Sequence, residues 1–235
     1  MSLAAAYMFG RKQGVAVNIP LADFISYWKF DGNANDSVGA NNGTATNLTY
    51  PIGLIGNAAD FNGTNSSVVV ADADNLSFGN GSNDVDFSTV MLVKFDSLTG
   101  QRITFTKLNA ANTLQEYTFV ISSSKFRGIL ISTIGQDAIL IDNNTVLSTG
   151  NWFVLTSTYK ASTKTLKMYV DNNVINIDGS VGTYTAMTNT VADLHIGYDP
   201  RAQRTINGQI NALAFLNVEL KPQQVAYAVN KLKVD

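Results

Sequence analysis

Residues 27–47 read YWKFDGNANDSVGANNGTATN, and the composition of this stretch changes after its fourth residue. The first part carries Tyr27, Trp28 and Phe30, bulky aromatic side chains that suit a pleated, half-buried strand. From Asp31 onward the stretch is rich in Asn, Asp, Ser and Gly. Asn and Asp side chains bond their own backbone in turns, and their oxygens are also ligands that Ca²⁺ prefers. The stretch predicts a strand followed by an oxygen-rich loop. Three interpretations stay open: a seam that closes a sheet, a metal site, or a long turn.

The rest of the chain repeats this alternation of short β-branched or aromatic runs with turns rich in Gly, Asn, Asp and Ser. Many short strands at this spacing are typical of an antiparallel sandwich, not of alternating strands and helices. The run 87–95 is nearly continuously apolar, which predicts a central strand covered on both faces. The predicted strands are residues 66–71, 87–95, 102–107, 116–122, 126–133, 152–159, 165–170, 174–177, 191–198 and 208–217.

Two local signals complete this outline. Residues 171–173, Asp-Asn-Asn, suit a tight turn because Asn and Asp tolerate positive φ, which predicts a hairpin between 165–170 and 174–177. Only the C-terminal end has helical spacing, beginning at Pro222. Its apolar positions are Val225, Val229 and Leu232. The sequence therefore predicts an all-β fold, a two-sheet antiparallel sandwich with a short C-terminal helix.

Composition excludes several classes of function. The 235 residues contain no cysteine, which removes disulfide frameworks, thiol nucleophiles and Cys-ligated zinc. Charged residues make up 14% of the chain and the formal net charge is −2, so the protein has no electrostatic pull on nucleic acid. No apolar run reaches the ~18 residues of a membrane span.

The N-terminal residues 1–22 differ from the rest, with an apolar patch, the basic pair Arg11-Lys12 and a second apolar segment ending at Pro20. A secretory signal has its positive charges first, so we expect no signal peptide. Two interpretations stay open for this segment: a poorly ordered end, or an arm that packs on a partner subunit. We predict a domain division into an arm, residues 1–22, and a sandwich, residues 23–235.

The acidic residues argue against catalysis. Paired-carboxylate glycosidases need two acids on either side of the scissile bond, yet neither Glu116 nor Glu219 has an acidic residue two or four positions away. The pairs Asp72/Asp74 and Asp84/Asp86 lie in turn-rich stretches and are interpreted as solvated turn residues. The single histidine, His195, is interpreted as a surface or inter-strand residue. We predict that the protein is not an enzyme.

Several segments, read in order, resemble the laminin G-like, concanavalin A-like jelly-roll domains. They are residues 27–43, residues 59–71 with their Phe-Asn-Gly turn, residues 87–94, residues 150–174 and residues 194–220. The usual Trp of the third segment is Leu92 here. The resemblance implies a two-sheet jelly roll whose first and last strands pair, with an end helix or turn packed beneath. It also implies non-enzymatic recognition of glycans or proteins.

Some domains of this family hold a calcium ion between the opening loop and the closing strand. The resemblance places Asp36 and Asn211 at the matching positions, and Asn42 is a further candidate ligand in the oxygen-rich loop. Asn211 keeps an oxygen but lacks the charge of the family's acidic residue, and calcium affinity depends strongly on ligand charge. A plain turn therefore remains the alternative to a calcium site.

Three functions follow as hypotheses. The first is a recognition or structural module displayed on a larger assembly, such as a phage capsid decoration or tail-fibre protein, with residues 1–22 contacting protein partners. The second is a stand-alone carbohydrate-binding domain, and the third is a relative of glycoside hydrolases. For a ligand surface the sequence points to residues 198–205, where Tyr198 offers a stacking face and Arg201 and Arg204 offer planar donors. A solvated hairpin loop is the alternative there.

Overall fold

The computed structural model describes residues 17–133 and 137–233. Within these ranges the chain forms sixteen strands and one α-helix, α1, at Pro222–Lys233. The first eight strands are β1 (Phe24–Trp28), β2 (Gly43–Thr46), β3 (Ala59–Asn62), β4 (Ser67–Val70), β5 (Phe87–Ser97), β6 (Arg102–Leu108), β7 (Gln115–Ser122) and β8 (Lys125–Thr133). The others are β9 (Asp137–Asn143), β10 (Trp152–Lys160), β11 (Thr165–Val170), β12 (Asn176–Asp178), β13 (Leu194–Ile196), β14 (Tyr198–Asp199), β15 (Arg204–Thr205) and β16 (Asn207–Leu216).

The strands form two antiparallel sheets, which confirms the predicted sandwich. The first sheet has the order β1-β16-β5-β10-β11, and β3 also pairs with β16. The second sheet has the order β12-β9-β8-β7-β6-β13-β4-β2, and β14 and β15 form a separate small hairpin. Strand β1 pairs with β16, so that Trp28 lies opposite Leu213. The pairing of the opening and closing strands confirms the interpretation of the opening stretch as a seam.

Aromatic side chains fill the space between the sheets. Phe78 stacks on Phe87 with ring centroids 4.2 Å apart, and Phe105 stacks on Phe119 at 4.6 Å. Trp28 meets Phe215 edge to face at 5.7 Å. Such pairs add to the large apolar area that each ring buries. Trp28 of β1 therefore lies against the closing strand in the main core, Phe30 is buried in the same core, and Tyr27 packs on the opposite side of the sheet.

Helix α1 covers the outer face of the first sheet and forms a second apolar layer. Its residues Val225, Ala228, Val229 and Leu232 are buried there. The sheet residues in this layer include Val90, Leu92, Val154, Ala212 and Ala214. Strand β5 is consequently covered on both faces, as its continuous apolar run predicts. No helix in the described part of the chain is long and apolar enough to cross a membrane.

The predicted N-terminal arm is described only from residue 17 onward. Ile19 is buried in the layer beneath α1, and the carbonyl oxygen of Asn18 accepts a hydrogen bond from Gln224 Nε2 at 3.2 Å. The apolar patch Leu3–Phe9 and the pair Arg11-Lys12 lie outside the described residues. The arm's contact with a partner stays a prediction.

Strand β12 departs from the predicted hairpin. The turn itself is tight, since Val170 and Asn173 exchange two backbone hydrogen bonds of 3.0 Å. The chain then crosses to the second sheet, where β12 pairs with β9 instead of β11. The side chain of Asn143 explains the crossing, because its Nδ2 donates to the carbonyls of Met168 and Asn173 at 2.7 Å and joins the two sheets.

Candidate ligand-binding cleft and the loops around it

The carboxylate of Asp36 closes the opening loop onto β1. Its Oδ1 accepts backbone N–H bonds from Tyr27, Val38 and Gly39 at 2.9–3.1 Å, and its Oδ2 accepts one from Asn41 at 3.1 Å. Burial raises the pKa of Asp36, but these N–H donors outweigh it and hold the pKa below its ordinary value. Since the backbone supplies all these donors, Asp36 acts as a latch for its own loop.

The other polar groups of this loop also bond to nearby atoms. Asn42 Oδ1 accepts the backbone N–H of Asp36 at 3.0 Å. Trp28 Nε1 donates to the carbonyl oxygen of Asn41 at 2.7 Å, and Asn41 Nδ2 donates to Ser26 Oγ at 2.7 Å. The loop is therefore an extended turn fixed to the seam, which combines two of the three interpretations drawn from its sequence.

Asn211 contacts a different loop, residues 51–58. Its Oδ1 accepts the N–H of Ile55 at 2.7 Å, and its Nδ2 donates to the carbonyls of Ile55 and Asn57 at 2.7 and 2.9 Å. Asp36 and Asn211 are thus engaged with separate loops. A calcium ion needs converging oxygens, whereas Asn211 presents N–H groups to the two carbonyls. The side chains present here do not fit a calcium ion.

The predicted ligand surface is the β14–β15 hairpin, and the structure brings two of its three residues, the arginines, together on Asp199. Asp199 is 1% exposed and lies between the two arginines, with Arg201 Nε at 3.2 Å from Oδ1 and Arg204 Nη2 at 3.8 Å from Oδ2. Arg201 Nη1 also donates to Asn112 Oδ1 at 3.1 Å. The Tyr198 ring meets the His195 ring edge to face at 6.0 Å. These arginines brace the hairpin, and their role in ligand binding stays a prediction.

A polar cleft lies at one end of the sandwich, where three loops meet. The loops precede β5, join β10 to β11, and precede β13, and they enclose about 470 Å³, a size that suits a small ligand. The cleft is lined by Ser82, Asn83, Asp84, Val85, Asp86, Ala161, Ser162, Lys164 and Thr185. Hydroxyl, amide and charged groups therefore line one common space together with apolar side-chain atoms.

Asp84 holds two of these loops together. Its Oδ2 accepts the hydroxyl hydrogens of Tyr159 and Tyr184 at 2.6 and 2.7 Å, and its Oδ1 accepts the N–H of Met187 at 2.8 Å. Burial, followed by the hydrogen bond and charge of Asp84, raises the pKa of both phenols above the ordinary value. Both tyrosines consequently stay protonated and donate to the carboxylate.

Asp86 fixes the third loop. Its Oδ1 accepts the N–H of Ala161 at 2.9 Å, and its Oδ2 pairs with Lys160 Nζ. The interpretation of Asp84 and Asp86 as solvated turn residues is therefore wrong, because both carboxylates position loops that are distant in sequence. The tyrosines carried the only available signal, since a Tyr hydroxyl at a buried position usually finds a hydrogen-bond partner.

The groups at the mouth of the cleft are exposed. Lys164 has a left-handed backbone with φ of 49°, and its Nζ donates to the carbonyl of Tyr184 at 3.1 Å. Asn80 Oδ1 accepts the N–H groups of Ser82 and Asn83 at 3.0 and 2.8 Å, which shapes the opposite wall. The cleft offers donors and acceptors in fixed positions.

The two glutamates lie apart from this cleft. Glu116 is fully buried, and its Oε1 accepts a hydrogen bond of 2.7 Å from Lys107 Nζ, which is also 0% exposed. The same ammonium group donates to Asp72 Oδ1 at 2.7 Å, so Asp72 is also not a solvated turn residue. Glu219 pairs with Lys221 at the start of α1. Among the described residues, no group of three or more His, Asp or Glu side chains is placed to hold a metal ion.

Comparisons with known proteins agree with the fold. Residues 61–226 match the family described as the concanavalin A-like lectin/glucanases superfamily. A search among curated proteins found no match for the chain.

Three solved structures illustrate the likeness. Domain 4 of AbnA, a GH43 extracellular arabinanase from Geobacillus stearothermophilus, in complex with arabinotriose, has a TM-score of 0.62 and 21% identity over 88% of this chain and 98% of that domain. Trypanosoma rangeli sialidase has a TM-score of 0.70 and 14% identity over 98% of this chain and 38% of the sialidase. The binding domain of Paraclostridial Mosquitocidal Protein 1 has a TM-score of 0.68 and 14% identity over 89% of this chain and 52% of that chain.

At these identities the likeness shows the fold alone, and the similar structures include both an enzyme and a binding domain. The family match covers more than half of the sequence, and its elements are those of the observed sandwich. The chain therefore belongs to the concanavalin A-like lectin/glucanase superfamily.

Proposed function

We propose that this protein is a non-enzymatic carbohydrate-recognition module that binds a neutral oligosaccharide in the polar cleft. The observation that carries the proposal is the cleft itself. Three loops place exposed hydroxyl, amide and ammonium groups around one space, and internal hydrogen bonds fix those loops. Preorganised polar groups bind a sugar with little loss of conformational freedom.

The charges around the cleft favour a neutral ligand. Asp84 and Asp86 are offset by Lys160 and Lys164, so the site has no excess charge to attract an anionic or cationic sugar. Val85 is 57% exposed among these polar groups and offers an apolar surface for the face of a pyranose or furanose ring. The arabinotriose bound to the similar arabinanase domain supports short neutral oligosaccharides as the first ligands to test.

The state of the carboxylates supports binding without turnover. Each oxygen of Asp84 and Asp86 already accepts a hydrogen bond from a tyrosine, a lysine or a backbone N–H. A general acid must carry a proton that it can give to the leaving group, and a nucleophile must have a free lone pair. Carboxylates engaged as loop braces do not meet the first requirement, and the second is restricted because each oxygen already shares a lone pair with a donor.

A glycan array tests this proposal. The wild-type protein is expected to bind a subset of neutral oligosaccharides, and Lys164→Ala and Asn83→Ala are expected to weaken that binding at least tenfold. Lys125→Ala removes a lysine at the start of β8, outside the cleft, and serves as the matched control that keeps wild-type binding. Equal binding by all four proteins, or release of shorter sugars from the bound glycan, would exclude this function.

Docking on a larger assembly is the second candidate, and the edge strand β12 favours it. Ile175, Ile177 and Val181 lie along this edge of the second sheet and are each about half or more exposed. Exposed apolar edges are typical sites of protein association. A size measurement on native material tests this candidate. We expect a complex of many copies that Ile177→Lys dissociates, whereas a monomer in both samples would exclude it. Display on a virion stays a prediction.

A further inference from the structure

The loop of residues 51–58 is a short hairpin that gains little from burial. The N–H of Gly53 donates to the carbonyl of Gly56 at 2.9 Å, and the N–H of Ala58 donates to the carbonyl of Pro51 at 2.9 Å. The apolar residues at its tip point to solvent, and Ile52 is 85% exposed. Apart from Ala58, which is buried at its end, the loop gains little from burial of apolar side chains, so polar contacts from the rest of the domain fix its tip.

Those contacts come mainly from Asn211 on the closing strand β16, whose side chain is 3% exposed. Its amide accepts the N–H of Ile55 and donates to the carbonyl of the same residue, as a neighbouring strand would. The orientation of the amide follows from these partners, since the swapped form would point its oxygen at two carbonyls. Gly53 permits the approach, because a Cβ there would lie 2.9 Å from Asn211 Oδ1.

Two backbone carbonyls, those of Ile55 and Asn57, converge on Asn211 Nδ2. Converging oxygens of this kind repel one another unless a cation or a hydrogen-bond donor lies between them. Asp31 contacts the same loop, since its Oδ1 accepts the N–H of Asn57 at 3.0 Å. The position therefore combines two carbonyls with one nearby carboxylate, and an N–H donor occupies its centre.

We propose that the Asn211 amide takes the place of a calcium ion here, so that the loop of residues 51–58 is held without metal. The resemblance to calcium-binding domains of this fold implied an ion at the closing strand, and the donor set contradicts that expectation. The proposal also gives Asn211→Asp a specific consequence. This substitution removes both N–H donors, places a carboxylate against the carbonyls, and so creates a calcium site where the wild type has none.

Thermal unfolding with EDTA or with 1 mM CaCl₂, a concentration on the order of the weaker natural calcium sites, tests the proposal. The Tm of the wild type is expected to be the same in both. In EDTA, Asn211→Asp should unfold about 4 °C or more below the wild type, and CaCl₂ should restore most of that difference while MgCl₂ should not. Asn211→Ala should be destabilised equally in both conditions. Asn217→Asp makes the same chemical change at an exposed residue just after β16 and should show no calcium response.

Two results would overturn the proposal. One is a wild-type Tm that rises with CaCl₂ by more than about 2 °C, a shift that corresponds to a stabilising ion. The other is an Asn211→Asp protein whose Tm is the same with and without calcium. Calorimetric titration of the wild type with CaCl₂ needs no variant and tests the claim even if Asn211→Asp fails to fold, because any saturable heat of calcium binding would contradict it.

Discussion

Asp36 and Asp84 are both half-buried carboxylates that accept hydrogen bonds on both oxygens, yet they organise different amounts of the molecule. The backbone partners of Asp36 lie within nine residues of it. The partners of Asp84 lie 75, 100 and 103 residues away, on β10 and on the loop before β13. The first carboxylate therefore shapes one loop, and the second assembles a site from distant parts of the chain. Removal of Asp84 should therefore lower the free energy of unfolding more than removal of Asp36, and it should disturb more of the molecule.

The largest effect is expected from Asp84→Ala. The substitution leaves two tyrosine hydroxyls and one backbone N–H without their acceptor near the core, and the free energy of unfolding should fall by about 3 kcal/mol. Urea denaturation measures this loss, with Asp96→Ala, at an exposed position of β5, as a control expected to change little. If the free energy of unfolding falls as little as in the control, the tyrosines find other hydrogen-bond partners and Asp84 does not hold the loops together.

A smaller effect is expected from Asp36→Ala. Four backbone N–H groups lose a charged acceptor, but these hydrogen bonds are part-buried or exposed and water replaces the acceptor in part, so the free energy of unfolding should fall by about 1–2 kcal/mol. The fluorescence of Trp28, which donates to the carbonyl of Asn41 in this loop, should report the local change. Glycan binding at the cleft should stay at the wild-type level. A loss of binding would break the distinction between the local and the long-range carboxylate.

Tyr184→Phe tests the hydrogen bonds beside the cleft through the pH dependence of the free energy of unfolding. Because burial raises the pKa of Tyr184 in the folded protein, the unfolded chain ionises first as pH rises, and this stabilisation is present below about pH 10 and lost above it. The variant should be less stable by about 1 kcal/mol at neutral pH. It should also lose less stability than the wild type between about pH 9 and about pH 11. Parallel curves of stability against pH for the two proteins would show that the pKa of Tyr184 is not raised in the folded state.

The smallest effect concerns the opposite end of the pH scale. The pKa of Asp36 is lowered in the folded protein, so its stabilisation is present above about pH 4 and is lost as pH falls through the folded-state value. The difference in stability between the wild type and Asp36→Ala should therefore shrink in acid. Urea titrations at several pH values measure it, and a difference that stays constant down to the acid transition would show that the carboxylate's charge is unimportant.

The sequence predicted the local features well, because their partners are close in the chain. The oxygen-rich loop after Trp28 and the seam with the closing strand follow from composition and from the order of motifs. The cleft could not be predicted in this way. Asp84 has the sequence surroundings of a solvated turn residue, and only the folded chain brings Tyr159 and Tyr184 to it.

Asn211 shows a second limit of prediction from sequence. The family resemblance places it at the position of a calcium ligand, and its side chain carries an oxygen without the charge. In the structure its oxygen accepts a backbone N–H, while its nitrogen faces the two carbonyls that the loop of residues 51–58 turns toward it. Residue type alone does not reveal whether the oxygen or the nitrogen of an amide faces the carbonyls of a loop about 150 residues away in the sequence.

We propose that the cleft assembled by Asp84 binds a neutral oligosaccharide without turning it over. A crystal structure of the protein with the tightest ligand from the glycan array tests it most directly. We expect an intact oligosaccharide between Asn83, Ser162 and Lys164. An oligosaccharide bound instead at the hairpin of Tyr198, Arg201 and Arg204, or one cleaved within the cleft, would contradict it.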